Sequence, residues 1–426
     1  MKQAVLAGRP LRGTLRVPGD KSIAHRALLL AAMAPGISSV SGVPDSLDVR
    51  ATLDCLKRLG VGLSRRGSTV RVAGRGRRGF LQPRGVLDAG GSGTTARLLM
   101  GLLAGQPFPA RLTGDSYLRR RPMDRVAGLL RRMGAGIGLR GDHLPATIDG
   151  AALHGARCAS PVPSAQIKSA VIIAGLLAKG ETSITEPALS RDHTERLLPL
   201  FGARLRRRGL TVTVTGQARL RPARLTVPGD ASSAAFWVVA ATLVPGSRLR
   251  LAAVGCNPTR SGFLRVLERM GARIEMSRPS GRPEPVCDLV VRPAGLTAVV
   301  IGPAEVPALI DEIPILALAA SQARGLSRFR GVSELRHKES DRLTGTVRLL
   351  RCFGAKAWAD GDDLVIAGPA RLRGARFDPE GDHRLAMATA VAGLAAQGRT
   401  VVLGAEYAAA SYPGFWKEFQ RLSNIP

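Results

Sequence analysis

The sequence predicts an α/β protein of two domains, each built from three copies of a unit that runs strand, helix, strand, helix, strand, strand. Three observations carry that prediction. The first is an apolar helix closed by glycine and followed by a short β-prone run: LLLAAMAPGISSV, LLMGLLAGQPFPARL, VIIAGLLAKGETSI, VVAATLVPGSRLRL, LALAASQARGLSRF and AVAGLAAQGRTVVL. The closing glycines, Gly36, Gly105, Gly180, Gly246, Gly325 and Gly398, lie 66 to 79 residues apart, the regularity of a repeated supersecondary unit. The second is an amphipathic helix 22 to 29 residues further on in five of the six units, ending at Gly60, Gly134, Gly202, Gly271 and Gly354. Glycine there supplies the left-handed residue that closes a helix, and alternating runs such as LTVTVTG and DDLVIAG then read as strands. The third is a match between residues 9–20, RPLRGTLRVPGD, and residues 219–230, RLRPARLTVPGD.

In the sixth unit the helix FWKEFQRL is not followed by its strand pair, so the N-terminal segment is expected to close that unit. The first domain then covers residues 21–227 and the second residues 1–20 plus 228–426. Two chain crossings at V-P-G-D form a hinge, and the cleft between the domains is the expected place for small-molecule chemistry.

With 426 residues and 45% hydrophobic content, the chain exceeds what one core organises. Apolar runs such as VIIAGLLA fall well short of the ~20 residues of a membrane-spanning helix, and MKQAVLAGRPLRG lacks the apolar stretch and cleavage site of a signal peptide. A cytoplasmic protein with no membrane partner is expected. Cys55, Cys158, Cys256, Cys287 and Cys352 show no C-x-x-C pairing, which argues against a disulfide framework and a structural zinc site. The net charge of +30 raises a nucleic-acid partner. However, 54 of the 62 basic residues are Arg, spread over nearly every segment instead of forming one block or stripe, and only 4% of residues are aromatic, so stacking platforms are scarce. A basic nucleic-acid-binding repeat protein rests on net charge alone.

Candidate chemistry concentrates at helix starts. GDKSIAHRALLL offers Lys21, Ser22 as a candidate N-cap, and Arg26 one turn along the same face, a set that can grip an anion at a positive helix end. A capped surface helix with solvated charges is the plain alternative. LDAGGSGTTARLLMG, residues 87–101, is a glycine-rich turn that lets backbone amides approach phosphate or carboxylate, without the G-K-[ST] ending of a P-loop. DSYLRRRPMD carries Arg119, Arg120 and Arg121; PVPSAQIKSAV presents Ser164, Gln166 and Lys168; SRDHTERLL begins with Ser190 and Arg191. In the second domain LIDEIPILALAA places Asp311 and Glu312 at the edge of an apolar helix. ELRHKESDRL packs Arg336, Lys338, Glu339, Asp341 and Arg342 together, and GDHRLAMATA offers His383 and Arg384. Carboxylates among cations can serve as base and acid, although salt-bridged helix faces look similar. Many anion grips, few acids and no H-E-x-x-H or paired His spell metal-free, cofactor-free chemistry on two small polyanions.

Nine segments stand in register with the repeat: PGDKSIAHRALLLAA, LDAGGSGTTARLLMGLLAG, RRRPM, SAQIKSAVIIAGL, SRDHTERLL, GDASSAAFWVVAA, DEIPILALAA, ELRHKESDRL and DHRLAMA. Together they resemble the EPSP synthase family, the 3-phosphoshikimate 1-carboxyvinyltransferases of the shikimate pathway, over essentially the whole chain. The resemblance implies a two-domain inside-out α/β barrel and a monomer. It implies transfer of the enolpyruvyl group of phosphoenolpyruvate to the 5-hydroxyl of shikimate 3-phosphate, by addition and then elimination of phosphate. Carried over by motif, Lys21, Ser22, Arg26, Ser164, Gln166, Arg191, Asp311 and Lys338 would hold shikimate 3-phosphate. Lys21, Gly93, Arg121, Gln166, Arg342 and Arg384 would hold phosphoenolpyruvate. Asp311 would accept the 5-hydroxyl proton, and Glu339, helped by Lys21, would protonate the methylene carbon. Gly91, Ala165 and Ala410 depart from residues common in the family, and none removes an acid or base. A related family, the UDP-N-acetylglucosamine enolpyruvyl transferases, carries a reactive Cys in the loop matching TGDSYLRRRPMD, where this chain has none.

Overall fold

The computed structural model describes residues 1–8 and 10–423. Arg9, in the expected closing segment, and residues 424–426, at the end of the expected second domain, lie outside the described residues. The chain divides into two compact units, Gly19–Val227, and Met1–Pro18 with Pro228–Pro426, here called the split unit.

The Gly19–Val227 unit holds six α-helices: α1 (Lys21–Met33), α2 (Leu47–Arg58), α3 (Gly93–Ala104), α4 (Asp124–Arg131), α5 (Ala165–Leu177) and α6 (His193–Leu197). Helices α1, α3 and α5 are the glycine-closed ones. α3 buries every residue, α1 all but Lys21, and α5 all but Ala165 and Gln166. A largely apolar helix buried on every side must be covered all round. Three four-stranded sheets, each with one parallel and two antiparallel pairings, cover them, so helices lie inside and strands outside.

The split unit repeats this plan with α7 (Ala231–Leu243), α8 (Gly262–Arg269), α9 (Ile313–Ser321), α10 (Arg342–Cys352), α11 (His383–Ala395) and α12 (Phe415–Ser423). Here α7, α9 and α11 form the apolar interior. The five glycines predicted to end amphipathic helices all have left-handed φ, from 83° to 98°.

One expectation is corrected. The sixth sheet has three strands, because only the strand Lys2–Val5 joins it, antiparallel to Thr400–Leu403. The strand Arg12–Leu15 pairs in parallel with Arg248–Gly255, in the sheet after α7. The backbone dictates the change of sheet: Gly8 N–H donates to the Leu394 carbonyl, Leu11 N–H to Ser247 Oγ at 2.9 Å, and Arg248 N–H back to the Leu11 carbonyl. The matching strand Arg224–Thr226 likewise pairs in parallel with Gly36–Ser41, after α1. Between strand and helix the V-P-G-D turn needs Gly19, because a Cβ there would lie 1.8 Å from the Gly42 carbonyl oxygen.

Helix α12 docks by aromatic packing. Phe415, 1% exposed, meets Trp237, Tyr412, Trp416 and Phe419 at centroid distances of 5.1 to 5.7 Å, and Trp237 Nε1 donates to Tyr412 Oη at 3.2 Å. Because the cavity left by a deleted ring cannot collapse among four rigid neighbours, Phe415→Ala should cost about 3–5 kcal/mol, read by urea unfolding.

Candidate active site

In the Gly19–Val227 unit, α1 is capped by Asp20 and not, as the sequence suggests, by Ser22. Asp20 has extended backbone and its carboxylate accepts from Ile23 N–H at 3.0 Å, whereas Ser22 already lies within the helix. Lys21 Nζ lies 2.7 Å from Asp48 Oδ2 of α2. Arg26 is 3% exposed, so the solvated-face alternative fails for it. Its Nε donates to Ser169 Oγ and Thr194 Oγ1, both at 3.0 Å, Nη1 to the Ser22 carbonyl at 2.8 Å, and Nη2 to the Ala165 carbonyl at 3.0 Å. Arg191 is half-buried on the segment leading into α6.

Ser164 caps α5, and two residues on, Gln166 Oε1 accepts from Arg97 Nη1 at 2.7 Å while its Nε2 donates to Thr94 Oγ1 at 2.9 Å. Arg97 also donates to the Pro122 carbonyl at 2.8 Å. Gly93 opens α3, and a Cβ there would lie 2.8 Å from both Arg121 Nη1 and Arg97 Nη1. Glycine thus makes room for two guanidinium groups. Of the arginine triplet, Arg119 and Arg120 are exposed and Arg121 is buried. At Gly91, a Cβ would lie 2.9 Å from Asp115 Oδ2, and Asp115 Oδ1 in turn accepts from Tyr117 and Leu118 N–H. The side chain common in the family at that position has its space taken by Asp115.

In the split unit, Asp311 belongs to a 3-10 turn, Ile310–Glu312, that leads into α9. Arg342 opens α10 at 1% exposure, with Nε 2.7 Å from Asp382 Oδ2, Nη1 3.2 Å from Asp311 Oδ1 and Nη2 2.5 Å from Glu339 Oε2. Burial works against its charge, but Asp382, then Glu339 and Asp311, outweigh burial and raise its pKa. Asp382, whose burial favours the neutral acid, is held below the usual carboxylate range chiefly by Arg342, and caps α11 through Arg384 and Leu385 N–H. Arg384 Nη1 donates to the Asp311 carbonyl at 3.1 Å, and its Nη2 lies 3.6 Å from Asp311 Oδ2. Lys338 Nζ lies 3.6 Å from Asp311 Oδ1. All five residues expected in this unit, Asp311, Lys338, Glu339, Arg342 and Arg384, therefore form one cluster.

The sequence reading missed Asp48, Arg97, Arg260 and Asp382 and gave Glu312 no role. Glu312 is buried, accepts from Ser232 Oγ and from Arg260 Nη1 at 2.9 Å, and lies 3.5 Å from Arg384 Nη1; Arg260 Nη2 lies 3.0 Å from Asp230 Oδ1. One signal was available: Asp20, Asp230 and Asp382 each follow a glycine at the start of an apolar helix. Among the described residues no group of three or more His, Cys, Asp or Glu could hold a metal ion, and no helix is long and apolar enough to cross a membrane.

Helices enclosed by strands, with cations and carboxylates at their starts, define the enolpyruvyl-transferase fold. The enolpyruvyl transferase NikO from Streptomyces tendae shares it at a TM-score of 0.79, over 98% of this chain and 96% of that one, at 20% identity. The model of the EPSP synthase (3-phosphoshikimate 1-carboxyvinyltransferase) family matches residues 5–419. EPSP synthase from Acinetobacter baumannii superposes with a TM-score of 0.87 at 36% identity, over 99% of this chain and 98% of that one. A 3-phosphoshikimate 1-carboxyvinyltransferase from Pelotomaculum thermopropionicum is 49% identical over 96% of this chain and 95% of its own, and one from a Synechococcus species is 50% identical over 97% and 98%. The chain belongs to the EPSP synthase family.

His25 lies on α1 between Lys21 and Arg26, fully buried, with Nδ1 2.7 Å from Thr52 Oγ1. Burial, then Lys21 and Arg26, push its pKa well below the ordinary value. Folded protein keeps it neutral while the unfolded chain binds a proton below about pH 6.5. Its contribution to stability is therefore complete above about pH 6.5 and is lost as pH falls from there towards the folded pKa, with a slope of at most about 1.4 kcal/mol per pH unit. Urea unfolding between pH 7.5 and 5.5 should show a shallower pH dependence in His25→Gln than in the wild type.

Proposed function

We propose that this chain transfers the enolpyruvyl group of phosphoenolpyruvate to the 5-hydroxyl of shikimate 3-phosphate, with release of phosphate. The observation that carries the reading is Asp311, a carboxylate faced by Lys338, Arg342 and Arg384, with the second acid, Glu339, on the same Arg342. In this reading Arg342, Arg384, Arg121, Lys21, Gln166 and the backbone at Gly93 hold phosphoenolpyruvate. Lys21, Ser22, Arg26, Ser164, Gln166, Arg191, Asp311 and Lys338 hold shikimate 3-phosphate.

Glu339, assisted by Lys21, delivers a proton to the methylene carbon, which becomes a methyl group and leaves the neighbouring carbon electrophilic. The 5-hydroxyl oxygen bonds to that carbon as Asp311 takes its proton. An incoming carboxylate and phosphate compete with Asp311 for Arg342 and Arg384, leaving Asp311 better able to accept the proton. In the second half a methyl proton returns to Glu339, the carbon–oxygen bond to phosphate breaks, the proton held by Asp311 passes to the departing phosphate, and the enol ether forms. Fixed cations stabilise the tetrahedral intermediate and the leaving phosphate. We assign the enzyme to the cytoplasm as a monomer, with no metal, cofactor or nucleic-acid partner; the even spread of arginine supports the last point.

Phosphate release from phosphoenolpyruvate should require shikimate 3-phosphate, with UDP-N-acetylglucosamine giving none; the reverse acceptor preference would overturn the reading. Asp311→Asn and Glu339→Gln should each lower kcat by roughly 10²–10⁴ with the fold intact by circular dichroism. Gly93→Ala forces the tips of Arg121 and Arg97 apart. It should raise KM for phosphoenolpyruvate about tenfold and move KM for shikimate 3-phosphate much less, as steady-state titration of each substrate will show.

A further inference from the structure

Lys168, the last polar side chain of S-A-Q-I-K, takes no part in the steps above, yet it is 1% exposed on α5. Its Nζ lies 2.7 Å from Glu186 Oε2, 2.7 Å from Glu195 Oε1 and 3.5 Å from the Ser190 carbonyl. Glu186 follows the strand Glu181–Thr185 and also accepts from Ser190 Oγ; Glu195 lies in α6. One buried cation thus holds both ends of the segment 186–195. That segment carries Arg191 and Thr194, and Thr194 Oγ1 is one of the oxygens that fix Arg26 Nε. Ser169, next to Lys168, supplies another and bonds Thr194 at 2.7 Å.

One carboxylate would neutralise Lys168; the second brings a further stretch of chain to the same point. Buried ion pairs are weak sources of net stability, so their geometry is the better guide to what they do. A compact ammonium suits the task, since two carboxylates can approach it from different directions where a planar guanidinium would dictate one plane.

We propose that Lys168, clamped by Glu186 and Glu195, is a positioning residue for the shikimate 3-phosphate site: it sets Arg26 and Arg191 relative to each other without touching the ligand. The proposal rests on the reading that those two arginines hold shikimate 3-phosphate. Of the residues read as holding phosphoenolpyruvate in this unit, Gly93 and Arg121 are carried by α3 and the segment before α4, Gln166 of α5 is held by Thr94 and Arg97 of α3, and Lys21 by Asp48 of α2, so these contacts have supports outside the clamp.

The test is steady-state kinetics on the full chain with each substrate varied in turn, for the wild type, Lys168→Met, Glu195→Gln and Arg26→Ala. In Lys168→Met, KM for shikimate 3-phosphate is expected to rise about tenfold or more, with KM for phosphoenolpyruvate and kcat within about twofold of the wild type. Should Lys168→Met fail to fold, Glu195→Gln leaves Lys168 one carboxylate and should show the same split at roughly threefold. Equal rises in both KM values, or an unchanged KM for shikimate 3-phosphate where Arg26→Ala raises it, would overturn the clamp alone. An unchanged value in Arg26→Ala would remove the ligand assignment and the clamp with it.

Discussion

Six helices with no exposed side organise this protein. Helices α1, α3, α5, α7, α9 and α11 are buried along nearly their whole length, so a polar group can leave them only at an end. Their first N–H groups need acceptors. Asp20, Ser92, Ser164, Asp230 and Asp382 provide them for five helices, and α9 is entered through the turn that carries Asp311 and Glu312. The positive end of each dipole then favours anions close to the caps. Lys21, Gly93, Gln166, Asp311 and Arg384 all lie within a few residues of such an end. The interior that stabilises each unit thereby confines the chemistry to helix starts.

A second constraint follows from placing cations there. A cation buried for a future anionic ligand must be supported before the ligand arrives, because an unpaired buried charge is costly. The split unit supports Arg342 with three carboxylates, Asp382, Asp311 and Glu339, of which Asp382 also caps a helix and the other two are the proposed base and acid. The proposed base and acid and the buried cation therefore hold one another in place. In the other unit hydroxyl and carbonyl oxygens orient Arg26 and fix its direction. Two carboxylates of that region, Glu186 and Glu195, go to Lys168, one turn behind the first residues of α5.

The fold was largely legible because its signals are local. An apolar helix, the glycine after it and the alternating run that follows are readable within about 30 residues. What failed was a choice between sheets. R-G-T-L at 12–15 looks like a strand wherever it lies, and Ser247 and Arg248, more than 230 residues on, decide its partner. The cap of α1 failed for a subtler reason: Asp20 and Ser22 are both good capping residues, and only the extended backbone at Asp20 chooses between them. Site residues were legible one motif at a time, but their partners were not. Arg342 meets Asp382 across 40 positions, and Lys168 meets carboxylates 18 and 27 residues away, separations at which composition and periodicity carry no pairing information.

The two V-P-G-D turns show how one scaffold came to do two jobs. In both, an aspartate accepts from the first turn of a buried helix. After the first stand Lys21, Ser22 and Arg26; after the second stand Ala231, Ser232 and Ala235. The shared serine separates the two. Ser232 donates its hydroxyl to Glu312 and accepts from Arg260, so the start of α7 is tied into an internal network that continues through Glu312 to Arg384 and the turn of Asp311. With alanine at the two positions where α1 has cations, the start of α7 is tied instead to an arginine and a glutamate of its own unit. One copy presents charge, while the other braces the turn on which the proposed base sits, and both follow from the same requirement that a buried helix start find polar partners.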